Sequence, residues 1–159
     1  MEAAVARVAA ALHELGIPSE PVVFSQPTST AEEAAAAVGC ELGQIVKTLV
    51  FMADGRCVLV LVAGDRRVDP TRLARILGMP RKRVRMATPA EVRAATGYDV
   101  GGVPPVGHGE TFDVIIDESL RRYGTVWAAA GTPNAVFPVG TDELARAVKG
   151  QWAAIAQER

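Results

Sequence analysis

Apolar residues recur at helical spacing in several segments of the chain, and capping residues mark where these segments begin and end. The N-terminal segment predicts a helix over residues 2–15 that Gly16 terminates. A last helix is predicted from about residue 142 to 156. Three helices between them are predicted to start after a polar residue and to stop at a glycine, at Thr30 to Gly39, Asp69 to Gly78 and Thr88 to Gly97.

Two long apolar runs, 45–52 and 56–62, are joined by Asp54-Gly55. An Asp-Gly pair between two β-branched runs predicts a β-hairpin. Further strands are predicted at 21–24, 111–116 and 126–130, with a helical turn starting near Asp117, and two overlapping capping boxes precede the second helix, Ser29 with Glu32 and Thr30 with Glu33. Since the strands come in hairpins, the pattern favours a single α+β domain over residues 1–159 rather than a doubly wound sheet.

Composition narrows the class of protein. Hydrophobic residues make up 49% of the 159 positions and aromatic residues only 5%, so the core must be aliphatic, and disordered or fibrous classes are excluded. No apolar run reaches the length of a membrane span, and no signal segment is visible, so no membrane association is expected. The two cysteines show no C-x-x-C spacing, which favours a reducing, cytoplasmic location.

Charge is unevenly distributed along a chain whose net charge is −1. Residues 54–93 carry ten Lys and Arg against four Asp and Glu, whereas the remainder carries seven against fourteen. This asymmetry indicates an anionic partner without identifying it. The basic string Arg81, Lys82 and Arg83 either follows a phosphate backbone or is a solvated surface, and the scarcity of aromatic residues argues against binding through stacked bases.

Lys47 is the most informative single residue. In a strand over 45–52, both faces are apolar around it, so its ammonium has no obvious solvent-facing side. Because burial of an unpaired ammonium is costly, Lys47 either extends to solvent from an edge strand or faces an anion or a carbonyl oxygen in a pocket.

The segment from Gly101 to Pro105 predicts a shaped loop. Its two prolines lack an N–H, so free amide donors are expected at Gly101, Gly102 and Val103, in a form that suits an oxyanion. A tight turn between elements explains the same residues. The small residues of 129–134 either line a cavity floor or allow close packing of a strand on a helix.

The usual nucleophile arrangements are absent. Cys40 and Cys57 have no histidine at a recognisable spacing, and no metal-ligand cluster is evident. His13 is expected to be a surface or packing residue of the first helix, and His108 lies in a glycine-rich loop with its role open. An enzyme of this sequence would therefore act by positioning its substrate and by main-chain donors.

Several motifs, in order along about residues 20–150, resemble the YbaK family, the free-standing relatives of the prolyl-tRNA synthetase editing (insertion) domain. They are TSTAEEA at 28–34, QIVKTLVF at 44–51, the strand 58–62 followed by Gly64-Asp65, TGYDVGGVPPVG at 96–107, IIDESL at 115–120 and Ala130-Gly131. The resemblance implies a mixed, mostly antiparallel barrel-like sheet wrapped by helices. It implies a deacylase for wrongly aminoacylated tRNA, usually tRNA(Pro), without a metal or cofactor.

The resemblance also implies roles for single residues. Lys47 matches the family lysine that holds the terminal adenosine and its phosphate, and Gly101 and Pro105 match the ends of a G-x-x-x-P loop that contacts the aminoacyl carbonyl and fixes the attacking water. The ribose 2′-hydroxyl is expected to assist. On this basis Lys47, Gly101 and Gly102 are the expected catalytic residues, Arg81, Lys82 and Arg83 contact tRNA, and the substrate-binding set is Thr30, Thr48, Val103, Pro105, Ala130 and Gly131.

Departures from the family pattern leave the amino-acid specificity open between alanine, cysteine and other small residues. Thr48 stands where the alanine-specific branch has Asn, Ala130 replaces a frequent glycine, and Pro104 replaces a small polar residue. The expected partners are the aminoacylated 3′ end of tRNA and prolyl-tRNA synthetase. Two alternatives stay open, a non-catalytic module that binds a tRNA end or a synthetase, and a hydrolase of aminoacyl-adenylate-like esters.

Overall fold

The computed structural model describes residues 2–157, in which five α-helices surround an eight-stranded sheet. Met1, Glu158 and Arg159 of the predicted domain lie outside the described residues. The helices are α1 Ala3–Glu14, α2 Ala31–Val38, α3 Pro70–Leu77, α4 Pro89–Thr96 and α5 Thr141–Val148. The strands are β1 Val22–Val23, β2 Ile45–Ala53, β3 Arg56–Ala63, β4 Val84–Met86, β5 Asp113–Asp117, β6 Thr125–Ala129, β7 Ala135–Gly140 and β8 Gln151–Ala153.

The sheet is mixed, and its strand order is β1-β7-β6-β2-β3-β5-β8, with β4 paired to β2 off this path. Pairs β1–β7, β2–β3, β2–β4 and β6–β7 are antiparallel, whereas β2–β6, β3–β5 and β5–β8 are parallel. The predicted mixed sheet with helices around it is therefore confirmed. The predicted hairpin is also present, because β2 and β3 pair along their length around Asp54 and Gly55, which both adopt positive φ angles.

An opening in the sheet lies along one edge of β2. On the edge opposite β3, β6 pairs only with Ile45 and Val46, and β4 pairs only with 51–53. Residues 47–50 consequently have no strand partner on this edge within the described chain. Main-chain groups of alternate strand residues point to alternate edges, so the N–H and C=O of Thr48 face the opening. This opening positions the candidate site.

Capping residues begin the helices largely as predicted. Asp69 caps α3, and Thr88 with Glu91 forms a capping box on α4. At α2 only one of the two predicted capping boxes forms, that of Thr30 with Glu33. The prediction that Ser29 pairs with Glu32 is wrong, because the Ser29 hydroxyl donates to the Glu33 carboxylate at 3.1 Å. One carboxylate thus receives both hydroxyls and fixes the turn that enters α2.

The predicted C-terminal helix over 142–156 is wrong in its second half. α5 ends at Val148, because Lys149 adopts a left-handed φ of 53° and the Gly150 amide donates back to the Ala145 carbonyl. The chain then pairs with β5 as β8, in parallel. The buried Asp117 carboxylate holds this ending, since it accepts hydrogen bonds from the amides of Ile155 and Ala156.

Two strands have no counterpart among the predicted elements. β4 lies inside the basic segment, where charge obscures a three-residue strand, and β7 contains Pro138, which is unusual within a strand. The predicted N-terminal helix over 2–15 appears as α1 over 3–14, and its apolar face of Val5, Val8 and Leu12 is buried in the main core. No helix within residues 2–157 combines the length and apolar character that a membrane span requires.

Candidate active site

A cavity of about 460 Å³ lies at the opening beside β2. Its walls come from the N-terminal turn of α2, from β2, from the ends of β4 and β6, and from the 100–103 segment. Most of the lining side chains are small and aliphatic, including Ala31, Ala34, Val46, Val50, Ala128 and Val136. Its volume is typical of a site for a small ligand, and few polar groups line it.

Lys47 supplies the cationic group of the cavity. Its side chain is half-buried on the face of β2 that Ile45 shares with α2, and its Nζ donates a hydrogen bond to the Arg66 carbonyl. Burial lowers the pKa of this ammonium and the charge of Arg67 lowers it further, whereas Glu32 and Asp65 oppose both effects. Because one ammonium proton is used by Arg66, the others can serve an anion.

An ion pair holds the loop that contacts Lys47. The Arg122 guanidinium binds both carboxylate oxygens of Asp65, at 2.7 and 3.0 Å, and Asp65 also pairs with Arg66 at 3.0 Å. These contacts lower the pKa of the Asp65 carboxyl, chiefly through the hydrogen bonds from Arg122. The carbonyl that receives the Lys47 ammonium therefore has a defined position.

Two free amide donors stand at the cavity wall. Gly101 and Val103 both line the cavity, and their N–H groups make no hydrogen bond within the described chain. The prediction of a third free donor at Gly102 is wrong, because its N–H donates to the Asp99 carbonyl at 3.0 Å. Two unpaired amides in residues that line a largely apolar cavity are candidate donors to a carbonyl oxygen or an oxyanion.

Gly102 instead supports the loop. Its carbonyl accepts the Gly131 amide at 3.0 Å, and a Cβ added at this position would lie 2.9 Å from the Thr132 Cα. Gly131 itself has a φ of 102° and lies against the Ala4 backbone of α1. The loop and the turn after β6 are thus packed too closely for any side chain between them.

The predicted substrate-binding residues divide into two groups. Thr30, Thr48 and Val103 line the cavity, whereas Pro105, Ala130 and Gly131 do not. The two alternatives for residues 129–134 both apply, each to a different residue. Ala129 lines the cavity, whereas the fully buried side chain of Ala130 packs in the core.

Thr48 presents polar groups to the opening. Its Oγ1 is buried without a hydrogen-bond partner in the described structure, on the face of β2 that carries Val46 and Val50. Lys47 lies on the opposite face by strand alternation. The cavity therefore reaches both faces of the sheet through the gap. The Thr30 hydroxyl, in contrast, is engaged with Glu33 in the cap of α2.

The predicted tRNA-contacting string lies away from the cavity. Arg81–Arg83 forms a 3-10 helix before β4, beside the far end of β2. Five residues of strand separate Thr48 from that end, which corresponds to about 17 Å. Arg81 donates to the Val84 carbonyl at 2.9 Å and Arg83 pairs with Asp54 at 3.5 Å, so both are partly engaged.

Some site residues carried no clear signal in the sequence. Met86 and Val100 are 54% and 59% exposed, yet both line the cavity mouth, and only the fold brings them there. Asp65 and Arg122 are 57 residues apart, so their pairing is not visible as a motif. Residues 2–157 contain no group of three or more His, Cys, Asp or Glu side chains suited to a metal ion.

Comparison with known proteins agrees with this geometry. Residues 25–147 match the family described as the aminoacyl-tRNA editing domain. EbsC of Enterococcus faecalis, a candidate Cys-tRNA(Pro)/Cys-tRNA(Cys) deacylase, is 27% identical over 144 residues, or 90% of this chain and 87% of that protein. The proline–tRNA ligase of Solidesulfovibrio magneticus is 38% identical over 90 residues, which are 57% of this chain and only 16% of the ligase.

A solved structure shares the whole fold. The crystal structure of a candidate trans-editing enzyme for prolyl tRNA synthetase is 42% identical, superposes with a TM-score of 0.93 and is matched over 99% of both chains. The family match covers most of the sequence, and it includes every element that lines the cavity. The chain belongs to the YbaK-like family of aminoacyl-tRNA editing domains and is an aminoacyl-tRNA deacylase, a hydrolase.

Proposed function

We propose that this deacylase acts in trans on tRNA(Pro) that carries a small wrong amino acid, alanine or cysteine. The observation that supports this most directly is the pair of free amides, Gly101 and Val103, in a cavity that also contains the Lys47 ammonium. The two amides can bind the carbonyl oxygen of an ester, and the ammonium can bind the phosphate of a nucleotide. The aliphatic walls around them suit a small side chain.

In the proposed reaction, the amides of Gly101 and Val103 bind the ester carbonyl oxygen and stabilise the negative charge that develops on it. A water oxygen forms a bond to the carbonyl carbon, and the bond from that carbon to the ribose 3′ oxygen breaks. The water proton passes by way of the ribose 2′-hydroxyl to the leaving 3′ oxygen. The products are a free amino acid and tRNA with an intact 3′ end.

The terminal nucleoside is proposed to span the opening in the sheet. Its phosphate would contact Lys47 on one face, and its ester would reach Val103 on the other. Met86 and Val100 then offer exposed apolar surface at the mouth, against which the base can pack. Phosphate binding would offset the burial that lowers the pKa of Lys47.

The choice between alanine and cysteine rests on small differences. One methylene or thiol in an apolar pocket changes binding by only about 1–3 kcal/mol. The unpartnered Thr48 hydroxyl is the polar side-chain group best placed to distinguish them. We also propose prolyl-tRNA synthetase as a partner and a cytoplasmic location, since both would bring the chain to newly charged tRNA(Pro).

A panel of charged tRNAs tests this proposal. The purified chain is mixed with tRNA(Pro) carrying alanine, cysteine, serine or proline, and release of the amino acid is timed. We expect rapid release of alanine or cysteine and little release of proline. Binding of tRNA without release of any amino acid would instead identify a binding module. Equal rates with aminoacyl-adenylate or with a short ester lacking the tRNA body would identify a hydrolase of small esters.

The basic string offers a separate test of tRNA contact. Replacement of Arg81, Lys82 and Arg83 together by alanine is expected to raise the KM for charged tRNA several-fold and to flatten its dependence on salt, because up to three phosphate contacts are lost. The kcat should stay within about twofold, since none of these three residues lines the cavity. Arg75→Ala, at an exposed position of α3, serves as the control. An unchanged salt dependence would remove these residues from the tRNA interface.

A further inference from the structure

His108 lies behind the loop that carries the two free amides. Its Nε2 is 2.7 Å from the Pro104 carbonyl oxygen. The edges of two aromatic rings hold the imidazole in place, Tyr98 at 5.6 Å and Phe112 at 5.3 Å between ring centroids, both at 83°. The Tyr98 hydroxyl donates in turn to the Gly107 carbonyl at 2.7 Å, next to His108. The imidazole is therefore constrained in position and in orientation.

The hydrogen bonding fixes the tautomer of this ring. A carbonyl oxygen only accepts hydrogen bonds, so Nε2 carries the proton that is donated to Pro104. The second nitrogen, Nδ1, is buried and has no partner in the described structure. A second proton would place an unpaired N–H in that buried position, which is costly. Burial accordingly lowers the pKa of His108, and the imidazole is neutral at pH 7.

This contact completes a two-point attachment of the loop. Gly102 is fixed on one side by the Gly131 amide, and Pro104 is fixed on the other by His108. Val103 lies between these two points and lines the cavity, and its free N–H points away from Gly131, because it is opposite the Gly102 carbonyl in the same peptide plane. With the Pro104 contact removed, the loop would keep its hydrogen bonds at Gly102 but lose the one that follows Val103, so the peptide plane that carries the Val103 amide could tilt away from the ester oxygen.

We propose that His108 is a positioning residue for the deacylation reaction, which aims the Val103 amide at the substrate carbonyl through its hydrogen bond to Pro104. This inference rests on the proposed function, because it assigns the loop amides to the ester oxygen. His108 itself does not line the cavity, so it is not expected to touch the substrate or to act as an acid or base.

Two variants separate the hydrogen bond from the packing of the ring. His108→Phe keeps an aromatic ring but has no donor, and we expect kcat to fall about 10- to 100-fold with KM within about twofold. His108→Gln carries an N–H that can reach Pro104, and it is expected to recover kcat to within about threefold of the wild type. Equal losses in both variants, or no loss in His108→Phe, would overturn the proposal.

The pH profile gives a readout that packing alone would not change. The charged or titratable groups that face the ring are Arg7 of α1, which lies over the Tyr98 ring at 4.7 Å, and Tyr98 itself, while Glu110 is exposed. Protonation would add an unpaired N–H at the buried Nδ1 and so favour displacement of the ring from Pro104. Since burial lowers the pKa of His108, kcat should fall only at a pH below the ordinary titration range of histidine. His108→Gln should lack this acidic loss.

The outcomes also separate this inference from the proposed function. If the wild type releases no amino acid from any charged tRNA, the proposed function fails. If the wild type is active but His108→Phe is equally active, only the role of His108 fails. Should His108→Phe not fold, His108→Gln decides alone: near-normal kcat without the acidic loss supports the proposal, and a kcat below a tenth of normal, or an unchanged pH profile, contradicts it.

Discussion

Replacement of Lys47 by alanine is expected to lower kcat/KM for deacylation of mischarged tRNA by at least about 100-fold. The ammonium is the cationic group of the cavity, and loss of a charge-assisted contact to a partly desolvated phosphate costs about 2–5 kcal/mol. The measurement is the rate of amino-acid release at several substrate concentrations. Full activity of the variant would remove Lys47 from the site.

The fold should tolerate the loss of Lys47. Burial and the nearby Arg67 lower the pKa of its ammonium, so the folded protein holds this proton less tightly than the unfolded chain does. The charged lysine therefore disfavours folding at neutral pH, and Lys47→Met is expected to unfold at the same or a higher denaturant concentration. Lys82→Ala, on the 3-10 helix and outside the cavity lining, is the matched lysine control and should keep its kcat, with a change at most in KM.

A single methyl group at Gly102 is expected to have a comparable effect. In Gly102→Ala, the new Cβ would lie 2.9 Å from the Thr132 Cα, and because this neighbour is main chain it cannot rotate away. The loop must move, and Gly101 and Val103 move with it. We expect kcat to fall about 100-fold, because a misplacement of about 1 Å has such an effect, and the free energy of unfolding to fall by about 1–3 kcal/mol.

Gly109→Ala provides the matched glycine for this comparison. It lies beyond the same loop, and a Cβ added there would meet no atom within 4 Å. Its activity and stability should stay close to those of the wild type. If Gly102→Ala is as active as Gly109→Ala, the loop does not depend on close packing and the assignment of its amides to the ester oxygen loses its support.

Local signals in the sequence predicted most of the helix starts and the central hairpin. Asp69 and Thr88 act within their own turns, and Asp54-Gly55 determines its own conformation, so neighbouring residues suffice to predict them. The C-terminal segment shows the opposite case. Its apolar spacing fits a helix to residue 156, but pairing with β5, about 35 residues earlier in the chain, makes part of it a strand.

The site could be predicted in its residues but not in its contacts. A charged residue in an apolar strand marks Lys47 as a candidate, and Lys47 lines the cavity of the structure. That Gly102 is a packing residue rather than a donor depends on Gly131 and Asp99, which fold against it. Met86 reaches the cavity mouth through the pairing of β4 with β2, and Val100 reaches it through the loop that follows α4. Contacts between residues so far apart in the chain produce no recognisable spacing pattern in the sequence.

We propose above that the cavity holds the aminoacyl end of tRNA with its carbonyl oxygen on two loop amides. The most direct test of this proposal is titration of the 15N-labelled protein with 3′-deoxy-3′-alanylamino-adenosine 5′-phosphate, in which an amide replaces the ester and cannot be hydrolysed readily. We predict that the amide resonances of Gly101 and Val103 shift most strongly and saturate together, while that of Gly109 stays in place. Saturable binding that leaves Gly101 and Val103 unshifted would contradict the account.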